Sequence, residues 1–471
     1  KAVLYLSHDM FRFFDPDKFE VHVFSTGKAD HQNFIQHAMR GVDWRERVRA
    51  NADRFHDVRH LKDEHVEMAR YVKDKGIHVL IEWDGYARQG ERAQGLFALR
   101  PAPVQILHQE FLGTSGAQYV DYIVTDKITS PPALADDLYV ENFIYMPNHF
   151  FSKGHAMQKE VKDPTYGYKR AERPYKLGTG SPVENRCMAP DGVGPAKPSF
   201  VFCNFNKFLK NNPDTFRSWL RILRDVPDSM LCLLENPVEG VPHLRRFVSE
   251  ACEENDSGIC GDLSPSEMND RIHLLPWQAN PFDHQMRSMD FCSAMLDSHP
   301  YNGHTVAQDA LYGGVPIVTR SDGPDMSSRV STSANAVLGL ERLNAYGGLD
   351  DYEKIAVELA TDRSWHGEVR RKLIDTCLRR EPMHPYWDVP RYVRNFQAGL
   401  TEAWRRYLTG EGGGGKRNKF EKRHIEVIED ETTRRGTYPE DITRLERRRT
   451  EGLKRRFMDG LMAEEDDVVG G

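Results

Sequence analysis

The chain has 471 residues, of which 39% are hydrophobic and 29% are charged, with 64 Lys and Arg against 71 Asp and Glu. This length is sufficient for two or three domains with buried cores. No apolar run approaches the roughly 18 residues of a membrane helix, which excludes a spanning protein and predicts no membrane partner. The net charge of −7 gives no electrostatic reason to expect a nucleic-acid partner.

The cysteines and the first residues bear on the compartment. Seven cysteines occur without a CxxC pair, and most lie in apolar runs such as Phe202-Cys203. We therefore expect reduced thiols in a cytoplasmic or nuclear protein. The start of the chain carries no charged region followed by a cleavage site, which predicts no secretion signal.

Short apolar runs alternate with amphipathic stretches in the first third of the chain. A helix is predicted to end before Gly76, with Asp63 as its candidate N-cap. Unbroken runs of β-branched residues predict strands that are buried on both faces of a parallel sheet. These runs are Val21–Phe24, Ile77–Ile81, Val104–Leu107 and Tyr122–Val124.

A second pattern of the same kind runs from Ser199 to about Arg320. It predicts helices at Asp214–Arg224 and Thr305–Tyr312, and Trp219 lies on the apolar face of the first. The predicted strands are Phe200–Cys203, Met230–Leu234, Ile272–Leu275, Phe291–Leu296 and Pro316–Thr319. The sequence therefore predicts an α/β protein with two Rossmann-like lobes whose parallel sheets face a cleft.

Composition sets the predicted domain boundaries. Residues 1–153 form the expected N-terminal lobe, and residues 154–198, rich in Lys, Pro, Gly and Tyr, form a linker or insert. The second lobe is expected over residues 199–408. After it, a glycine run and densely charged residues predict a solvated tail over 409–471, partly helical or disordered.

The segment Asn302–Asp309 has the pattern of a phosphate-binding turn. It follows a predicted strand and opens a helix whose first residues are His304 and Thr305. Such a helix start presents backbone N–H groups to a phosphate, and Asp309, about one turn on, could accept hydrogen bonds from a ribose. An ordinary turn with Thr305 as the cap is the alternative.

The segment Cys203–Asp214 ends a strand, carries Lys207 and Lys210 in a polar turn, and begins the next helix at Pro213. Ligands bind at the carboxyl ends of parallel strands. Lys210 could therefore neutralise a diphosphate leaving group, whereas a surface lysine without that role is the alternative.

Two further loops follow predicted strands. In Gln278–Arg287, His284 and Arg287 lie one helical turn apart and could face the same ligand. The segment Leu112–Gly116 is rich in small residues, which suits the close approach of a sugar or a peptide. P-loop, HExxH, GxSxG and spaced Cys/His patterns do not occur, so the sequence predicts no bound metal.

Taken in this order, these segments resemble the catalytic region of the protein O-GlcNAc transferase family, which includes the plant Spindly-type protein O-fucosyltransferases. The resemblance extends from about residue 15 to residue 330 and, less clearly, to residue 408. The matching stretches are FDPDKFEV, DGYARQ, LFALRPAPVQ, GTSGAQYVDYIVTD, YMPNHFF, VFCNFNKFLKNNP, NGHTVAQDALYGGVPIVT and SSRV.

The resemblance implies a GT-B fold and inverting, metal-independent transfer of N-acetylglucosamine from UDP-GlcNAc to Ser or Thr of intracellular proteins. No cofactor is implied besides this donor substrate. Lys210 matches the lysine that favours departure of the diphosphate. The implied donor-binding residues are Lys207, Ala279, His284, Arg287, His304, Thr305 and Asp309, and those of the sugar or acceptor pocket are Gly113, Thr114 and Tyr301.

Some positions depart from the family pattern. Family members carry tetratricopeptide repeats and a catalytic-site histidine before FDPDKFEV, so we expect that array to be absent and that histidine to fall at or before Lys1. Alternatively, the segment Tyr5–Asp9 mimics the missing strand end, with Asp9 as the acid. Lys207 replaces a glutamine, and Tyr301 replaces a smaller residue of the N-acetyl pocket, which could narrow that pocket.

Three other functions stay open. A GDP-fucose-dependent protein O-fucosyltransferase would share the architecture, although the segments Asn302–His304 and Ser328–Val330 are closer to the GlcNAc branch. A sugar-nucleotide epimerase would need paired carboxylates at the cleft and no protein acceptor. A binding module without activity would still hold the nucleotide sugar or client proteins.

Overall fold

The computed structural model describes residues 2–27, 30–32, 34–35, 42–61, 64–87, 91–157, 199–253, 258–278, 281–379, 381–411 and 423–452. Across these ranges, no helix is both long enough and apolar enough to cross a membrane. Residues 158–198 of the insert predicted at 154–198, the candidate cap Asp63 and the position Ala279 lie outside them.

Strands and helices alternate through most of the described chain. The strands are β1 (His22–Ser25), β2 (Arg54–Asp57), β3 (Val79–Glu82), β4 (Val104–Leu107), β5 (Tyr122–Asp126), β6 (Asn142–Met146), β7 (Phe200–Asn204), β8 (Ser229–Leu234), β9 (Ile272–Leu275), β10 (Ala294–Leu296), β11 (Ile317–Arg320), β12 (Asn344–Ala345) and β13 (Ile425–Glu426).

The helices are Ala2–Ser7, Trp44–Asn51, His65–Asp74, Glu91–Ala98, Pro132–Leu138, Pro213–Asp225, Val241–Glu253, Pro265–Asp270, Pro281–Phe291, Thr305–Tyr312, Val330–Val337, Gly348–Thr361, Arg363–Leu378, Val389–Leu408 and Glu431–Arg434, and residues 439–452 are also helical. Short 3₁₀ turns lie at Met10–Phe13, Arg59–Leu61, His155–Met157, Phe208–Lys210, Val238–Gly240, Met326–Ser328 and Glu341–Leu343.

The chain divides into two compact units. The first draws its described residues from 1–127, 132–158 and 379–471, and the second from 128–131 and 159–378. Residues 379–408, expected in the second lobe, thus pack within the first unit. The reason is visible in the helix Val389–Leu408, whose Phe396 and Leu400 are buried there.

The second unit is built on a six-stranded parallel sheet of order β12-β11-β10-β7-β8-β9. From β7 the chain proceeds outward through β8 and β9, and it then returns to the other side of β7 to add β10, β11 and β12. The strand order therefore reverses between β7 and β10. In open parallel sheets, ligands bind outside the carboxyl ends of the strands at this reversal.

The first unit contains a five-stranded parallel sheet of order β13-β6-β5-β4-β3 and a separate parallel pair, β1 and β2. The edge strand β13 comes from the predicted tail, and Ile425 pairs with Ile144 of β6. The described part of that tail, residues 423–452, also buries Thr433 and Thr437. This part of the tail is therefore packed, which differs from the solvated segment that its charge pattern predicted.

Most predicted strands and helices are confirmed to within two residues. The helix Pro213–Asp225 is capped by Asn212, whose side chain accepts from the Asp214 N–H, and its apolar face buries Phe216 and Trp219. The predicted strand Phe291–Leu296 is too long, because a helix occupies Pro281–Phe291 and β10 begins only at Ala294.

The prediction of reduced thiols is wrong for five cysteines, since Cys203, Cys232, Cys252, Cys260 and Cys292 are all disulfide-bonded. Disulfides join Cys203 to Cys292 and Cys252 to Cys260, whereas Cys377 is buried and free. The first bond joins neighbouring parts of one sheet, since Cys203 lies on β7 and Cys292 lies two residues before β10, the strand that pairs with β7. Sequence spacing alone did not show that contact.

Peptide mapping tests these pairings. We expect protease digestion without reductant to yield a Cys203–Cys292 cross-linked peptide and a Cys252–Cys260 linked peptide, identified by mass spectrometry. Replacing Cys203 and Cys292 together by Ala should lower the free energy of unfolding by about 2–4 kcal/mol, since the bond closes a long loop. Recovery of all four cysteines as alkylated thiols before reduction would contradict the pairing.

Candidate functional site

The candidate site lies at the strand-order reversal of the second unit. The loop after β7 and the loop after β10 meet there because the two strands are hydrogen-bonded neighbours. Four of the predicted site residues lie on these two loops: Lys207, Lys210, Tyr301 and His304. Lys210 therefore lies beyond the carboxyl end of a strand, as its position in the sequence predicted.

Lys210 is directed towards the turn that precedes the helix Thr305–Tyr312. Its Nζ donates a hydrogen bond of 2.6 Å to the carbonyl oxygen of Asn302 and lies 4.1 Å from the ring centre of Tyr301. Burial lowers the pKa of Lys210 to about 7, and the charge of Asp297 opposes that shift. The amine therefore changes charge near neutral pH and responds to any anion placed beside it.

Asp297 follows β10 directly and holds the turn that precedes the helix Thr305–Tyr312 through hydrogen bonds. Its Oδ1 accepts from the backbone N–H groups of Ser298 (3.0 Å) and Gly303 (2.7 Å), and its Oδ2 accepts from the Thr319 hydroxyl (3.0 Å). Burial raises the pKa of Asp297 to about 6, although hydrogen bonds from Ser331, Gly303 and Thr319 and the charge of Lys210 favour the ionised form. No motif in the sequence pointed to this carboxylate.

Buried amides connect the two loops. The Asn204 side chain donates to the Leu296 carbonyl (2.7 Å) and to the Ser298 hydroxyl (3.1 Å), and Asn206 donates to the same hydroxyl (3.0 Å). Asn302 in turn donates to the Ser298 carbonyl (2.9 Å). This network holds the two loops next to each other. Its only sign in the sequence is that three asparagines occur in the loops that follow two predicted strands.

The helix Thr305–Tyr312 begins without a side-chain cap. His304 is its N-cap residue and makes no capping hydrogen bond, so the ordinary turn with Thr305 as the cap is not what forms. Among the described residues, no acceptor is bonded to the N–H groups of residues 305–307. Burial and the charge of Lys210 hold the pKa of His304 well below its usual value, so its ring is neutral.

Asp309, His284 and Arg287 form a second cluster beside the first. Asp309 is buried, accepts from Gln285 Nε2 (3.2 Å) and lies 3.8 Å from His284 Nε2. Arg287 donates to His284 Nδ1 (3.0 Å). Burial and Arg287 lower the pKa of His284 to about 4, so the imidazole is neutral at physiological pH.

Phe205 connects the two clusters. It follows β7 directly, and its ring packs against the His284 ring at 5.6 Å and beneath the Arg287 guanidinium at 4.4 Å. Arg287 also donates to the Pro276 carbonyl (2.6 Å) just after β9. The structure thus brings together every predicted donor-side residue that it describes, apart from Lys207.

Lys207 stands apart from both clusters. It is exposed at the start of the Phe208–Lys210 turn, and no hydrogen bond or ion pair links its side chain to the rest of the described chain. Tyr301 is 39% exposed, and its ring lies 4.8 Å from that of His304. The predicted pocket residue Tyr301 is therefore beside the predicted phosphate-binding residues.

In the first unit, Gly113 and Thr114 lie in a loop that follows β4. Thr114 Oγ1 donates to Glu141 Oε2 (2.8 Å), and the Ser115 backbone and hydroxyl both donate to Glu141 Oε1. Glu141 is fully buried. These hydrogen bonds therefore fix the shape of the loop. The space beside Gly113 is open, because an added Cβ there would approach no described atom more closely than 3.7 Å.

The alternative for the segment Tyr5–Asp9 is wrong. Residues Ala2–Ser7 form a helix and not the end of a strand. Asp9 is paired with His8 Nε2 and with Arg12 Nε, each at 3.0 Å. Because both of these basic side chains hold the Asp9 carboxylate, Asp9 does not take the place of the family's acid, as the alternative had predicted.

Together, the lysine, the uncapped helix start and the neutral histidine form a surface suited to an anion. No group of three or more His, Cys, Asp or Glu side chains in the described ranges is arranged to hold a metal ion. The site lies where open parallel α/β sheets bind ligands, and the two parallel sheets are those of an α/β protein with a GT-B fold.

Comparisons with known proteins give the family. The model of glycosyl transferase family 41 matches residues 5–170 and 193–396, and the chain therefore belongs to this family. A mutant O-GlcNAc transferase from Thermobaculum terrenum superposes with a TM-score of 0.66 at 23% identity, over 87% of this chain and 66% of that one. The predicted fold class and the family resemblance are confirmed.

Two curated relatives are named as peptide N-acetylglucosaminyltransferases. The chain is 27% identical over 391 residues to the probable UDP-N-acetylglucosamine–peptide N-acetylglucosaminyltransferase SEC of Arabidopsis thaliana, covering 83% of this chain and 34% of the relative. It is 26% identical to the UDP-N-acetylglucosamine–peptide N-acetylglucosaminyltransferase of Caenorhabditis elegans, covering 79% and 37%. The chain spans about a third of the length of these relatives.

Replacing Gly303 tests how tightly the turn is packed. An added Cβ would lie 2.8 Å from Met295 Cε and 3.3 Å from both Asn206 Nδ2 and Asp297 Oδ1. We expect Gly303→Ala to lower the free energy of unfolding by about 1–3 kcal/mol, measured by urea denaturation. Gly367→Ala, whose added Cβ meets no described atom within 4 Å, should cause no loss. An equal free energy of unfolding for the two variants would contradict the conclusion that the turn at Gly303 is tightly packed.

Proposed function

We propose that this chain transfers N-acetylglucosamine from UDP-GlcNAc to Ser or Thr hydroxyls of proteins, with inversion and without a metal ion. The observation that carries the proposal is Lys210, held at the strand-order reversal beside an uncapped helix start. Membership of glycosyl transferase family 41 supports the reaction class. The names of the relatives supply the donor and the peptide acceptor.

The diphosphate is proposed to bind between Lys210 and the start of the helix Thr305–Tyr312. The N–H groups of residues 305–307 and the positive end of the helix dipole attract anionic oxygens. His304 contributes as a neutral donor, since burial disfavours its charged form. This arrangement supplies fixed dipoles where the leaving group gains charge, which is the effect that a metal ion provides in other enzymes.

The nucleoside is proposed to lie over the second cluster. Asp309 would accept from the ribose hydroxyls, in exchange for its bond to Gln285, and Ala279, His284 and Arg287 would contact the base. Lys207, although exposed, is close enough in sequence to Lys210 to approach the diphosphate by a rotamer change. The acceptor hydroxyl attacks the anomeric carbon from the face opposite the departing UDP.

The remaining assignments concern the sugar and the acceptor. We assign the loop of Gly113 and Thr114 to sugar or peptide contact because Glu141 keeps its shape fixed. Tyr301 is proposed to line the sugar pocket, since it lies next to Lys210. Protein acceptors in the cytoplasm or nucleus, and the absence of any cofactor, nucleic-acid or membrane partner, stay predictions.

One observation favours a second candidate. A tyrosine ring lies 4.1 Å from Lys210 Nζ and would narrow the proposed N-acetyl pocket, whereas fucose lacks an N-acetyl group. A GDP-fucose-dependent protein O-fucosyltransferase is therefore the alternative donor specificity for the same site. A binding module without activity is distinguished from both by an absence of transfer.

A donor panel tests the proposal. We expect UDP and UDP-GlcNAc at saturating concentration to raise the thermal unfolding temperature, since a ligand that binds only the folded state at 100 times its Kd adds about 2.7 kcal/mol. GDP and GDP-fucose should raise it less. Lys210→Ala serves as the control and should lose most of the UDP shift while keeping its ligand-free unfolding temperature.

The panel has distinct alternatives. A larger shift with the guanosine pair would move the chain to the fucosyl branch. A shift with the uridine pair without transfer of labelled N-acetylglucosamine to a Ser/Thr-rich peptide would favour the binding module. No shift with any of the four ligands would contradict the nucleotide site itself.

Binding of UDP should be coupled to proton uptake. The pKa of Lys210 is about 7 in the ligand-free site, so at pH 8 the amine is mostly neutral. A diphosphate, which is already ionised at that pH, raises this pKa and the lysine gains a proton. Isothermal titration calorimetry in HEPES and in Tris should therefore give an uptake of about 0.5–1 proton.

Lys210→Met is the matched control for the calorimetry. It keeps the length of the side chain but cannot be protonated, so its UDP enthalpy should be the same in both buffers after correction for dilution. The same variant should lower turnover by at least about 100-fold, because the leaving group loses its cation. Equal proton uptake in the two proteins would assign the proton to another group.

A further inference from the structure

We infer that Asp297 is a positioning residue for Lys210 and acts through the peptide unit that joins Asn302 to Gly303. Lys210 Nζ donates to the carbonyl oxygen of this unit at 2.6 Å, and the N–H of the same unit donates to Asp297 Oδ1 at 2.7 Å. The amine and the carboxylate therefore lie at opposite ends of one peptide dipole. This inference rests on the proposed role of Lys210 in the donor site.

The peptide unit can transmit charge because it is polarisable. A carboxylate at its N–H end increases the negative charge on its carbonyl oxygen, since hydrogen bonds in a chain strengthen one another. That oxygen is then a better acceptor for an ammonium group than for a neutral amine. Asp297 thus favours the protonated form of Lys210 and fixes its position, although the two side chains share no direct hydrogen bond.

Asp297 is held rigidly enough for this role. Besides the Thr319 hydroxyl on its Oδ2, its backbone N–H donates to the Val318 carbonyl at 3.0 Å. Its backbone carbonyl accepts from the Tyr352 hydroxyl at 3.1 Å, and that hydroxyl accepts from Trp219 Nε1 at 3.0 Å. Asp297 is 1% exposed, so water does not replace the peptide contact.

The other charged and titratable groups around the pair are few. Lys210 acts on His304, whose positive form it disfavours, and its amine lies over the Tyr301 ring. Asp297 acts on Tyr352, whose pKa burial and this carboxylate raise well above the usual value. Within the described residues, Asp297 is therefore the acidic group that offsets the burial of Lys210.

The test measures the titration of Lys210 directly, without any donor. The protein is labelled with trace acetic anhydride between pH 5 and pH 11, and the acetylation of each lysine is quantified by mass spectrometry. We expect Asp297→Asn, which keeps the acceptor oxygen and removes the charge, to move the Lys210 midpoint to lower pH by about one unit. Lys207, exposed three residues earlier, is the internal reference and should not move.

Two further variants distinguish the effect of the Asp297 charge from the effect of losing a hydrogen bond that holds Asp297 in place. Tyr352→Phe removes a hydrogen bond to the Asp297 backbone but keeps the carboxylate, so it should lower stability and leave the Lys210 midpoint unchanged. Thr319→Val removes a bond that favours the ionised carboxylate. It should shift the midpoint in the same direction as Asp297→Asn but by less, and it provides the test if Asp297→Asn does not fold.

The outcomes are distinct from those of the donor experiments. An unchanged Lys210 midpoint in folded Asp297→Asn, or in Thr319→Val where that variant alone folds, overturns the inference. A shift in Tyr352→Phe as large as that in Asp297→Asn would reduce Asp297 to a structural residue and also overturn it. If transfer is detected, the high-pH limb of kcat in Asp297→Asn should move with the labelling midpoint, while KM for the peptide stays constant.

Discussion

The pairing of β7 with β10 is the interaction on which the site depends. Met295 lies beside Cys203 in parallel register, so the residues that follow the two strands leave the sheet next to each other. Because β7 continues to β8 on one side of the pair and β10 continues to β11 on the other, the two loops lead away in opposite directions. Asn204 and Ser298 then fasten the loops through buried hydrogen bonds, and the positions of Lys210 and the helix start follow from that connection.

Burial of charge is the second constraint. A lysine and an aspartate that are buried close together are costly unless their partners compensate. Here the compensation uses backbone groups as well as side chains, since Asp297 accepts two N–H groups and Lys210 donates to a carbonyl. Backbone partners are fixed by the fold and lose no side-chain entropy. The turn that contains Gly303 therefore serves both the packing of the sheet edge and the electrostatics of the site.

The sequence predicted the strands of both units and the placement of Lys210, because runs of apolar residues and the end of a strand are local signals. It did not predict the role of Asp297 or the Cys203–Cys292 bond, since both depend on which strands are neighbours. The packing of Val389–Leu408 in the first unit was not predicted either, because it also depends on which distant segments are neighbours. Hydrophobic periodicity identifies a helix and its buried face but does not identify the sheet that the face covers.

The ligand-free state of the site carries less positive charge than its residues suggest. His304 and His284 are neutral because burial and nearby cations disfavour their protonated forms, and Lys210 has a pKa of about 7. The proposed diphosphate would change the charge of the lysine alone, because the pKa of Lys210 is close enough to neutrality to respond. The site would thus gain its cation when the anion binds, without the cost of holding a full charge in a buried region beforehand.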